Sequence, residues 1–175
     1  RLINLAEKRQ MILSHIDEYY VGIIWEKDAL YANTIPFKGR NKVIENMKKL
    51  LNGDDFEIVE DDDPLAPAIL DVFLGRSKQL PDIQFSFSGY TPKEISVLKT
   101  VLRISYGEGL SYGEIAQVTG IPGAARFVGN VMAKNRTPLL IPCHRVIRSD
   151  GKPGHYGYGT ELKVKLLRRE GFSFK

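Results

Sequence analysis

The sequence has one cysteine in 175 residues. A disulfide within the chain is therefore impossible, and a zinc site built on cysteine pairs is excluded. Histidine is almost as scarce. Of the three, His144 and His155 lie near Cys143 and His15 is remote, a scatter that makes a poor metal site, so none is expected. No apolar run approaches the roughly 20 residues needed to span a bilayer, which argues against a membrane protein. Residues 1–9 mix charges into their apolar positions and do not read as a secretory signal. The first residue is Arg rather than Met, as in a trimmed chain. Internal repeats and low-complexity stretches are lacking too.

What is present is the balance of a globular protein with a core: 43% hydrophobic and 26% charged residues. The net charge of +4 conceals an asymmetry. Residues 91–175 carry 14 Lys and Arg against 6 Asp and Glu, whereas residues 1–90 carry 11 against 15. A basic half joined to an acidic half suggests that the second half meets a polyanion, with nucleic acid the first candidate. The sequence therefore divides into an N-terminal α+β domain over residues 1–88, mainly structural, and a helical domain over residues 90–175.

The first half reads as mixed strand and helix. Residues 20–25 are β-branched and aromatic, residues 26–28 form a turn, and residues 29–35 return as a partner strand. Val43, Ile44, Met47, Leu50 and Leu51 recur at helical spacing, and Gly53 stops that helix. The acids at 60–63 read as a solvated loop, residues 64–74 as a helix and residues 76–82 as a linker. The second half is punctuated more clearly. Thr91, Pro92 and Glu94 make a capping box with Pro at the first helical position. Ile95, Leu98, Val101 and Leu102 then form an apolar stripe, with Lys99 and Arg103 facing water. Ser111 and Glu114 make a second box, opening a short helix with Ile115, Ala116 and Val118 inward. A turn over 119–123 leads to a third helix over 124–134, and Asn135 stands where a left-handed terminal residue is expected. Residues 111–134 thus read as a helix-turn-helix. The small residues at the start of its second helix, with Arg126 among them, suit either close approach to a DNA groove or ordinary helix packing.

A lone cysteine is by default a small buried hydrophobe. Cys143, however, lies in Pro142-Cys143-His144-Arg145-Val146, downstream of the helix-turn-helix and upstream of Gly154-His155-Tyr156-Gly157-Tyr158-Gly159 and a terminal helix ending Arg169-Glu170-Gly171. From Ser111 to Gly171 the sequence resembles the O6-alkylguanine-DNA alkyltransferases, also called methylated-DNA–protein-cysteine methyltransferases. The resemblance implies a two-domain α+β fold and a suicide methyltransferase that repairs O6-alkylguanine in double-stranded DNA by direct reversal, without cofactor, as a monomer in the cytoplasm (or nucleus, if eukaryotic). It implies that Cys143 accepts the alkyl group, that Glu170, His144 and a water relay its proton, and that Asn135 links the DNA-binding helix to the active-site segment. It makes Arg126 the side chain that replaces a flipped guanine through the minor groove, with Ala125, Phe127, Gly129 and Lys134 beside it on the DNA. Tyr112 would contact phosphate and guanine. Carbonyls of Cys143 and Val146 would hold the guanine amine, Tyr156 would wall the pocket, Gly157 would donate its N–H to the leaving oxygen, and Tyr158 would narrow the rim. A thiol with a pKa of about 8.5 needs such a relay, because only the thiolate attacks well. A lesion-binding relative without the acceptor cysteine is argued against by Cys143 itself, and a papain-like hydrolase by the adjacent rather than remote His.

Overall fold

The computed structural model describes residues 8–174. Most of the signal-poor opening stretch (residues 1–7) and Lys175 lie outside the described residues. The N-terminal half is a four-stranded sheet in the order β3-β2-β1-β4, formed by β1 (Arg9–Ile16), β2 (Tyr19–Glu26), β3 (Ala29–Asn33) and β4 (Phe56–Glu60). The first three strands are antiparallel neighbours, and β4 joins β1 in parallel. Tight turns at 17–18 and 27–28 connect them, with Asp17 and Lys27 in the left-handed region at φ 53° and 55°. The hairpin of β2 and β3 follows the β-branched and aromatic pattern. The strands β1 and β4 give no such signal: four of the five residues of β4 are exposed, so no alternation marks it.

Two helices cover the sheet. Helix α1 (Arg40–Leu50) buries Val43 and Met47 with Met11, Leu13 and Ile24. It can approach closely because position 22 is Gly. A Cβ there would lie 2.7 Å from the Met11 sulfur and 2.9 Å from Val43 Cγ1, closer than packed atoms come. Helix α2 (Leu65–Phe73) covers the opposite face with Leu65, Ala66 and Ile69. The acidic run before it is not simply a solvated loop. Glu60 ends β4, and Asp63 is buried, accepting from the Trp25 indole N–H at 2.7 Å and from the Leu65 backbone N–H at 2.8 Å. Those two hydrogen bonds offset the desolvation of its carboxylate.

The C-terminal half is mainly helical: α3 (Pro92–Leu102), α4 (Tyr112–Val118), α5 (Ala125–Ala133) and α6 (Thr160–Arg169), with a two-stranded parallel ribbon of β5 (Leu110–Ser111) and β6 (Val146–Ile147). Both capping boxes form, with Thr91 and Ser111 each accepting from the backbone N–H of Glu94 and Glu114. The apolar stripes differ in detail. Val97 rather than Ile95 is fully buried on α3, and Val118 is 70% exposed, because α4 ends there after only seven residues. One core cluster holds α3, α4 and α5 together. Another crosses between the halves, packing Leu139, Leu140, Cys143, Tyr156 and Leu166 with Val21, Ile23, Leu30 and Ile69.

Candidate active site

Asn135 organises the segment between α5 and Cys143 from within. Asn135 is buried, accepts from Thr137 N at 3.1 Å and Thr137 Oγ1 at 3.2 Å, and donates Nδ2 to the Ile141 carbonyl at 2.9 Å. It is not left-handed itself, contrary to the sequence reading. Its side chain already satisfies the turn, and the positive φ falls instead on the buried Leu139, at 72°. A non-Gly residue held there costs about 1–3 kcal/mol and persists only when its surroundings over-determine it. The chain then enters a 3-10 turn, Cys143–Arg145, with Cys143 N donating to Ile141 O at 2.8 Å. Pairing of Leu110 with Val146 and Ser111 with Ile147 sets the start of α4, and hence Tyr112, beside this turn.

Behind the thiol lies a buried charge network. His144 Nε2 is 3.0 Å from Glu170 Oε1, just past the end of α6. Arg145 clamps the same carboxylate, with Nε at 2.9 Å from Oε2 and Nη2 at 2.8 Å from Oε1, while its Nη1 donates to the Ile104 carbonyl at 2.7 Å. Burial pushes the Glu170 carboxyl up, but hydrogen bonds from His144 and Arg145 outweigh it and hold the group at about 2. Burial pushes His144 down despite the pull of Glu170, so at neutral pH the imidazole is uncharged. With Glu170 ionised, the ring proton belongs on Nε2. The other nitrogen, Nδ1, is a buried acceptor with no partner among the described residues. Burial also raises the Cys143 thiol, against a hydrogen bond from Asn135 and the positive charge of Lys163. The resting state is therefore a protonated thiol next to a neutral base backed by a carboxylate.

Cys143 opens onto a cavity of about 1420 Å³, lined from α4 and α5 by Tyr112, Ala125, Arg126 and Gly129, from just past α5 by Lys134, and from the loop before α6 by Tyr156, Gly157 and Tyr158. A match to the DNA binding domain of 6-O-methylguanine DNA methyltransferase covers residues 92–172. The methylated-DNA–protein-cysteine methyltransferase of Methanocaldococcus vulcanius is 30% identical over 168 residues, 91% of this chain and 96% of that protein. That of Methanothermobacter thermautotrophicus is 34% identical over 160 residues, 89% and 81% of the two chains. The chain belongs to this methyltransferase family. Its fold also matches that of Mycobacterium tuberculosis OGT in complex with DNA, with a TM-score of 0.72 at 28% identity over 93% of this chain and 92% of the other.

Phe127 and Val146 both touch the core of the C-terminal half. Phe127 is partly buried and packs against the core of α3, α4 and α5, outside the cavity lining. Val146 is buried in that core, and its carbonyl accepts from the Lys163 ammonium, which leaves a second lone pair for another donor. Arg126 is exposed at the cavity mouth, and Lys134, also exposed, pairs with Glu94 at 2.9 Å. Tyr112 lies against Gly154, where a Cβ would come within 3.1 Å of the phenol oxygen and where φ is +79°.

Two charged residues escape sequence reasoning. Arg145 is one. The other is Lys163, fully buried on α6, donating Nζ to the carbonyls of Val146 and His155 and lying 5.7 Å from the Tyr112 ring. Burial pushes it down to about 8. It thus ties the cysteine turn to the pocket loop and sets a positive charge near the thiol. The signal was its place on the helix: Lys163 shares the inward face with Leu166 and Leu167, where a lysine is out of pattern.

Proposed function

We propose that this protein repairs O6-alkylguanine in double-stranded DNA by taking the alkyl group onto Cys143, once per molecule. Membership of the methyltransferase family supports the reaction class. The observation that carries the assignment is the placement of Cys143: its thiol opens into the cavity edged by α5, while His144 and Glu170 stand behind it. In the reaction, sulfur attacks the alkyl carbon, the carbon–oxygen bond breaks, and an S–C bond forms. The thiol proton passes through a water to His144 Nδ1, and Glu170 stabilises the imidazolium. Guanine leaves with its carbonyl restored and takes up a proton. The thioether is not reversed by thiols or hydrolysis, so each molecule reacts once, and the step balances between the substrate and the protein's own groups without a cofactor.

The base reaches sulfur by leaving the duplex stack, α5 approaching through the minor groove with Arg126 in the vacated space. Exposed Arg126, Lys134, Arg148 and Lys152 around the mouth suit a phosphate backbone. The pocket reading assigns Tyr156 to the wall, the Gly157 N–H to the leaving oxygen, and the Cys143 carbonyl to the guanine amine. The same reading has the protein act as a monomer, in the cytoplasm or, in a eukaryote, the nucleus. Among the described residues, no helix is long and apolar enough to cross a membrane.

Intact mass after incubation with excess duplex carrying O6-methylguanine tests the whole reading. One methyl per molecule, on the peptide that contains Cys143, is expected; a second methyl, or one elsewhere, overturns it. Flipping is tested separately. Arg126→Ala should slow reaction with duplex roughly tenfold or more, and with free O6-benzylguanine far less, because the free base needs no extrusion. Equal losses on both substrates would remove Arg126 from that role.

A further inference from the structure

The cavity has a wall that does not come from the DNA-binding half. Asn46, on α1 and 92% buried, lines it with Lys49 and Leu50. Its amide makes a reciprocal pair with the Tyr158 phenol: Asn46 Nδ2 donates to Tyr158 Oη at 3.0 Å, and Tyr158 Oη donates to Asn46 Oδ1 at 3.1 Å. These residues are 112 positions apart in the chain. The Tyr158 ring stands edge-on to Tyr156, centroids 5.4 Å apart at 62°, and tilted against Phe37 at 6.5 Å and 57°.

The loop backbone is held by Gly159 N donating to the Tyr156 carbonyl at 2.9 Å and by Lys163 on the His155 carbonyl, neither of which touches the Tyr158 side chain. Gly157 and Gly159 flank it, and a Cβ at either would meet nothing within 4 Å. The space beside both glycines is open, so the direction of the ring is set by its own contacts with Asn46, Tyr156 and Phe37. A methyl group needs almost no room beyond the sulfur. A flat aromatic alkyl group must find room in the cavity that Tyr158 and Asn46 line together with Cys143.

We propose that Asn46 is a positioning residue that limits the size of the transferred alkyl group by pinning the Tyr158 ring across the pocket rim. The N-terminal half thus takes part in substrate selection without touching the reacting atoms. This rests on Cys143 being the alkyl acceptor.

The test compares O6-benzylguanine with O6-methylguanine at the same site of the same duplex, so that DNA contacts cancel. Transfer rates are measured for the wild type, Asn46→Ala, Tyr158→Phe and the double variant. Releasing the ring should raise the benzyl-to-methyl rate ratio about tenfold, the worth of a net hydrogen bond or two. Tyr158→Phe keeps the ring and should do the same, and the double variant should go no further than either single one. An unchanged ratio in Asn46→Ala, or effects that multiply in the double variant, overturns the proposal. Should Asn46→Ala fail to fold, the ratio in Tyr158→Phe decides alone. Failure of the acceptor reading would show separately, as wild-type protein that transfers neither group to Cys143.

Discussion

Cys143→Ser is expected to abolish alkyl transfer while leaving affinity for duplex DNA nearly unchanged. Serine keeps the size and nearly the shape of the side chain, so the 3-10 turn and the Asn135 linkage should persist. What changes is the nucleophile. An alcohol is far harder to ionise than a thiol, and a neutral imidazole backed by one carboxylate does not bridge that gap for attack at an alkyl carbon. Transfer from a labelled O6-methylguanine duplex should fall to background, and a gel-shift titration should overlay that of the wild type within about twofold. Residual transfer above background would move the acceptor away from Cys143. A large loss of binding would mean that the thiol, not only the helix, holds the DNA.

The largest loss of stability is expected from Arg145→Leu. The Glu170 carboxylate is buried, and Arg145 supplies its most extensive contact, with three short nitrogen–oxygen approaches. Removing one partner of a buried ion pair leaves the other uncompensated, which costs about 3–5 kcal/mol. In a chain of this length that corresponds to a fall in Tm of roughly 6–20 °C. The pH dependence should change with it. The folded carboxyl lies at about 2, below its ordinary 4.5. The stabilisation from Glu170 is therefore complete above about pH 4.5 and is lost as pH falls towards 2. Thermal melts of the wild type should show that acid slope, and Arg145→Leu should flatten it. A variant that melts within about 1 kcal/mol of the wild type would mean that solvent or His144 alone satisfies Glu170.

Local features were legible in the sequence, and long-range ones were not. The two capping boxes were readable because a cap spans three residues and needs nothing from the rest of the chain. The β2–β3 hairpin was readable from its β-branched run, as was α1 from the spacing of Val43 and Met47. Helix α4 is only two turns long, too short for periodicity to say which side faces inward, so Val118 was misplaced. Asp63 looked like one more surface acid because its partner, Trp25, is 38 residues away. Arg145 and Lys163 were overlooked for the same reason: a charge is buried only where a distant element supplies its partner, here Glu170 and the carbonyls of Val146 and His155. The motif around Cys143 was plain from its own residues, whereas Asn46 carries no signal at all until α1 is placed over the pocket.

The cluster in which Cys143 packs draws on the sheet and α2 as well as on α6. The reacting atom therefore rests on residues that have no part in the chemistry. Random inactivating substitutions should not gather around the pocket alone. A share of them should fall in the acidic N-terminal half, at apolar positions of β2 and α2, where they loosen the floor beneath the thiol without altering any group that meets DNA. For this molecule the map of damage is wider than the map of the reaction.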